Sequence, residues 1–198
     1  MLTSGRICWK RFLLVLGPAI AVAGLLAAAM SHGAVGATMV VSGRSYKISA
    51  KTFKVNGFAQ YGRTLTTGTG SRVPVMTVQA KSGLVYDMCQ SMLMDTPVGT
   101  VTLKLRAGHG GKPAVATDML ADATRVSGDT TFVGFEGGVD AGVVSTVPGV
   151  SGTPGTYGQR ADKVVIRGFR QVTWGTATAT FDLPGLTVDV ERGRRECF

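Results

Sequence analysis

Phe12 to Met30 is a run of 19 residues without a charge, and Arg6, Lys10 and Arg11 stand directly before it. A helix rises about 1.5 Å per residue, so the run matches a hydrocarbon core about 30 Å thick. The positive-inside rule then orients the chain: residues 1–11 form a basic cytoplasmic tail, 12–30 a transmembrane or signal-anchor helix, 31–37 a linker, and 38–198 an extracytoplasmic domain. Gly17-Pro18 is compatible with a membrane span that bends there. Val35-Gly36-Ala37 has the small-residue spacing of a signal-peptidase site, and cleavage after Ala37 would release the domain as a secreted protein. The apolar run is longer than the roughly 7–15 residues of a cleaved signal, so retention as an anchor in the cell membrane is expected.

Topology decides how the three cysteines are read. Cys8 falls on the cytoplasmic side. Cys89 and Cys197 fall outside, where disulfides persist, and are expected to pair, with two free buried thiols as the alternative. Such a bond would close a loop of more than a hundred residues and stabilise the fold by a few kcal/mol.

Beyond the linker the composition favours strands. The chain holds 28 Gly, many Val and Thr, three Glu and one Asn, too little Glu for long amphipathic helices. Strand-like runs are Thr38–Val41, Ser45–Val55, Val73–Ala80, Leu84–Met88, Val98–Arg106, Thr130–Phe135, Lys163–Phe169, Thr173–Leu183 and Leu186–Glu191. Asn56-Gly57, Gly108–Lys112 and Pro184-Gly185 separate them as turns. Thr176 to Leu183 alternates polar and apolar residues as a half-buried antiparallel strand does. Ala50-Lys51…Val55…Phe58…Gln60, Ala80-Lys81…Val85…Met88…Gln90 and Ala161-Asp162…Ile166…Phe169…Gln171 share their internal offsets. An all-β domain follows, an antiparallel sandwich or a curled open sheet with hairpin-like repeats. Residues 134–157, rich in Gly and Pro, are expected to form a mobile or functional surface loop.

Charge is distributed unevenly along the chain. Residues 38–112 carry ten basic and two acidic side chains, whereas residues 113–191 carry five basic and nine acidic ones. Arg44, Lys47, Lys51 and Lys54 would give a basic face suited to anionic wall polymers or lipid headgroups. Stacking aromatics interleaved with a basic patch are not evident, so no nucleic-acid partner is expected.

Catalytic chemistry finds little purchase. No G-x-S-x-G elbow occurs, and Gly149-Val150-Ser151-Gly152-Thr153 lacks its second spacing. His32 adjoins the apolar run, which leaves His109 as the one base available to a hydrolase. His109 stands in a Gly-rich turn that misses the phosphate-loop pattern, because Arg106 and Pro113 occupy the positions of a Gly and a Ser or Thr. Asp118, Asp122, Asp129, Glu136 and Asp140 read as a solvated acidic stretch. The two external cysteines and two histidines do not make a metal site, and nothing implies a cofactor. Binding through an apolar groove would need only residues such as Phe58, Phe132, Phe135 and Phe169.

Trp9-Lys10-Arg11-Phe12, Gly57-Phe58-Ala59-Gln60-Tyr61-Gly62, Met88-Cys89-Gln90-Ser91, Tyr157-Gly158-Gln159-Arg160-Ala161-Asp162, Trp174…Thr180-Phe181…Leu183…Gly185-Leu186 and the terminal Glu196-Cys197-Phe198 together resemble an actinobacterial family of exported proteins of unknown function. Its members are often labelled cholesterol esterase and tend to be encoded beside a small multi-span membrane protein. The resemblance implies that Cys89 pairs with Cys197, and it supplies no active site. The reading is therefore a non-catalytic, membrane-tethered envelope protein, an accessory or binding module for a membrane-protein partner or an envelope lipid. A lipid-ester hydrolase using His109 and a wall-polymer binder are the alternatives.

Overall fold

A strand of about twenty residues would run some 65 Å if straight, well beyond the width of a domain of this size, so strands that long must bend. Three such strands occur in the computed structural model, which describes residues 43–198. The expected tail, membrane helix, linker and cleavage site, with Cys8, His32 and the expected strand Thr38–Val41, lie outside the described residues. In chain order the strands are β1 (Tyr46–Thr66), β2 (Arg72–Tyr86), β3 (Met88–Thr96), β4 (Gly99–Ala107), β5 (Ala114–Val133), β6 (Glu136–Asp140), β7 (Tyr157–Ala177), β8 (Thr180–Asp182) and β9 (Thr187–Arg192). All pairings are antiparallel, and no helix occurs among the described residues.

The domain is all-β and its sheet curls until it closes. β1 pairs with β2, β2 with β5, β5 with β7, and β7 returns to β1. Closure removes the exposed edges that an open sheet would leave on these four strands. Ala50, Phe53, Val55, Phe58, Val78, Ala80, Val85, Val164, Ile166 and Phe169 fill the interior. A second set of strands projects from this barrel as a wing: β3 continues β2 beyond Asp87, pairs with β4, and β4 pairs with β9 at the edge.

The bends account for the sequence repeat. Seven residues after Ala50, Ala80 and Ala161 stand Gly57, Asp87 and Gly168, with φ of 64°, 52° and 61°. Asp118 on β5, with φ 46°, is a fourth left-handed position. Each left-handed residue drops out of the ladder; Gly57, Asp118 and Gly168 turn their strands without ending them, whereas Asp87 divides β2 from β3. Asn56-Gly57 is thus a bend inside β1, not the expected turn. The ladder resumes at Phe58↔Ala80 in unbroken register, and a Cβ on Gly57 would lie 2.9 Å from Lys81 Cβ.

Other expectations are sharpened by pairing. Val73–Ala80 and Leu84–Met88 belong to one strand up to Tyr86, and Thr173–Leu183 is broken between Ala177 and Thr180, where β7 gives way to β8. The turns at Gly108–Lys112 and Pro184-Gly185 occur as expected. Residues 134–157 are not simply a surface loop. They contain β6, and Ala141 and Val144 are buried, Val144 with 1% of its surface exposed.

The disulfide Cys89–Cys197 is formed. It draws the tail after β9 across the polar face of the wing. Thr102 Oγ1 donates to the Gly193 carbonyl and accepts from the Arg195 N–H, and Ser91 Oγ accepts from the Cys197 N–H. Phe198 ends the tail between Lys47 and Arg170, whose charged groups lie 5.2 and 5.7 Å from its ring centroid.

Candidate functional site

The strands that close the barrel leave a cavity of about 300 Å³ at the end nearest the wing. Its apolar lining includes Phe53, Val85, Met88, Leu105, Met119, Phe169, Phe181 and Leu183. Every lining position is uncharged, and the polar ones are Tyr46, Gln90, Gln171, Thr176 and Thr178. The volume falls at the lower end of the roughly 300–1,000 Å³ of small-molecule sites, and the mix of apolar walls with few polar groups is typical of them.

Hydrogen bonding separates these polar groups. Tyr46 donates its hydroxyl to Thr176 Oγ1 at 2.8 Å, and burial pushes the Tyr46 phenol above its ordinary pKa, offset in part by that hydrogen bond. Gln171 Nε2 is buried and has no hydrogen-bond partner among the described residues. Ile48 pairs with Gln90 on one side and Gln171 on the other, so both amides lie in one row on the cavity wall. These two glutamines close the second and third copies of the sequence repeat.

The four phenylalanines expected to line a groove divide into two groups. Phe169 is buried and packs on Phe53 at a centroid distance of 5.1 Å inside the cavity. Phe58, Phe132 and Phe135 form a separate chain with centroid distances of 5.8 and 5.2 Å. Phe58 is buried, whereas Phe132 and Phe135 are 40% and 50% exposed.

The four basic residues also divide. Arg44 pairs with Asp95 at 2.8 Å and Lys47 with Glu196 at 3.1 Å. Lys51 and Lys54 are exposed, with Lys54 Nζ 5.2 Å from the Tyr86 ring centroid.

His109 stands on an exposed turn, its Nδ1 3.2 Å from Asp87 Oδ1. No hydroxyl hydrogen-bonds to its ring among the described residues. The acidic stretch does not behave as a single surface. Asp122 is fully buried, accepts from Arg63 Nε at 2.9 Å and Thr77 Oγ1 at 2.7 Å, and is an internal ion pair rather than a solvated charge. No cluster of three potential metal ligands occurs among the described residues.

The cavity wall was not legible as a site in the sequence, although Gln90 and Gln171 were visible as the ends of repeat copies. No curated protein and no solved structure matches the chain. Residues 42–198 match a family of unknown function (DUF6230), and the chain belongs to that family.

Proposed function

We propose that this domain is a non-catalytic binding module for an envelope lipid, with an acyl or similarly apolar segment held in the barrel cavity. The supporting observation is the uncharged, largely apolar cavity with Tyr46, Gln90 and Gln171 among its few polar lining residues. A ligand with a carbonyl or hydroxyl oxygen beside an apolar segment would hydrogen-bond to these polar lining groups while removing apolar wall from water. The N-terminal helix would tether the module at the outer face of an actinobacterial cell membrane, within reach of lipids and of a small multi-span membrane partner.

Photo-cross-linking tests the reading on the full chain. Cells producing it are fed a diazirine-bearing fatty acid, irradiated, and the purified protein is digested and mapped. The expected adducts lie on peptides carrying Met88 or Met119, and Ala121→Leu, which narrows the cavity, should reduce them. Adducts scattered over exposed strands, or none at all, would sink the proposal. Ester turnover by the full chain that vanishes in His109→Ala would instead establish the hydrolase alternative.

A further inference from the structure

The wing formed by β3, β4 and β9 has two unlike faces. On one face Cys89, Ser91, Thr102, Lys104 and Arg106 are occupied by the C-terminal tail, or by ion pairs with Asp189 and Glu191. The pleat puts the intervening residues on the opposite face. There the ladder aligns Gln90–Leu105–Val188, then Met92–Leu103–Val190, then Met94–Val101–Arg192. Val188 and Val190 are 54% and 66% exposed, far more than a finished sheet face leaves to water.

This apolar face runs into the cavity, because Gln90 and Leu105 of its first row also line the cavity wall. The domain's first strand begins at the same place. Tyr46 lines the cavity as the first residue of β1. The fifteen residues between Met30 and Tyr46 span at most about 50 Å when extended. At the outer end of the face stands Arg192, exposed, in the same row as Met94 and Val101, and in no salt bridge among the described residues. An apolar surface with a cation at its margin matches the boundary between acyl chains and anionic headgroups.

We propose that the apolar face of the wing lies on the outer surface of the bilayer and forms the route by which a lipid passes between membrane and cavity. This rests on the cavity reading and on the N-terminal anchor. Occupancy of the face by acyl chains, rather than by a second copy or another protein, is the distinguishing claim.

The test uses the full chain carrying Cys8→Ser, so that a single added thiol takes an environment-sensitive fluorophore. Val190→Cys labels the apolar face, and Thr187→Cys labels the polar face of the same strand. The protein is reconstituted in nanodiscs of phosphatidylcholine with a minority of phosphatidylglycerol, with and without brominated acyl chains. The label at Val190 should shift to the blue and lose most of its emission to the bromine atoms, and the label at Thr187 should do neither. A blue shift without bromine quenching would mean that protein covers the face, and would overturn the proposal. Equal quenching at both positions, or at neither, would overturn it too. If Val190 stays unquenched while the cavity peptides still cross-link to the fatty acid, the bilayer proposal falls and the cavity reading stands.

Discussion

Gln79 and Gln171 are both buried amides on long strands of the same barrel, yet one has its hydrogen bonds complete and the other does not. Gln79 Oε1 accepts from the Thr146 and Val147 N–H groups at 2.8 and 3.3 Å, and its Nε2 donates to Tyr61 Oη at 3.1 Å and the Val150 carbonyl at 3.0 Å. It pins the segment after β6 onto the barrel. Gln171 Nε2, on the cavity wall, has no such partner. A satisfied buried amide is a structural joint, whereas an unsatisfied one weakens the fold and is tolerated most readily where a ligand completes it. The comparison separates a region held by its own chain from a region open to something else.

The largest expected effect sharpens that contrast from the side of the wing. Replacing Cys89 and Cys197 by Ser removes a crosslink spanning 108 residues and should lower stability by about 5 kcal/mol in the chain-entropy model, measured by urea unfolding under oxidising conditions. Hydrogen exchange should rise first in the wing and in residues 193–198, while residues 141–156 stay protected. Uniform loss of protection across both regions would mean that the two are not separately held.

Gln79→Leu comes next. It leaves the Thr146 and Val147 amides and the Val150 carbonyl without their partner, and water reaching the opened segment restores only part of what is lost. A destabilisation of about 3 kcal/mol is expected, with exchange rising in residues 141–156 and the wing unaffected. If the segment keeps its protection, its buried Ala141 and Val144 hold it and the amide is secondary.

These two regions were unequally legible in the sequence. Cys89 and Cys197 could be paired because the apolar run and the charges before it lead to the expectation that both share a disulfide-permissive compartment. The offsets of the repeat were visible, but the meaning of Gly57 was not: a left-handed Gly after Asn suits a hairpin turn and a bend equally well, and the choice depends on whether Ala80 waits opposite Phe58. β3 escaped notice because Cys89, Gln90, Ser91 and Asp95 break any β-branched pattern, and its polar face is satisfied by a tail a hundred residues later. Asp122 read as solvated because its cation, Arg63, stands on β1, which only the pairing of both strands with β2 brings within reach. The cavity draws on seven strands, so no local pattern announces it. Phe132 and Phe169 have the same side chain and opposite surroundings for the same reason.

Gln171→Leu is the direct counterpart of Gln79→Leu, and its sign should differ. Removing an amide whose donor is unpaired should leave thermal stability unchanged or raise it by about 1 kcal/mol, while reducing fatty-acid cross-linking in the cavity. A loss as large as that of Gln79→Leu would show that Gln171 is a joint after all.

The smallest effect concerns pH and the segment that Gln79 pins. Asp140 accepts the Gly142 N–H at 2.7 Å through Oδ1 and the Gly155 N–H at 2.9 Å through Oδ2. These two backbone hydrogen bonds, that of Gly142 first, hold its pKa below the ordinary carboxylate value. A carboxylate with a depressed folded-state pKa stabilises fully above its unfolded value of about 3.9, and that contribution disappears as pH falls through the lower folded value. Gln79 does not titrate, so its bonds persist in acid. Limited proteolysis of residues 141–156 by an acid protease should therefore accelerate modestly as pH drops below the carboxylate range. In Asp140→Asn the added acid sensitivity should vanish, whereas in Gln79→Leu it should remain on top of a segment already loosened. Acid sensitivity that survives in Asp140→Asn would assign it to another carboxylate and leave the amide as the main tie on that segment.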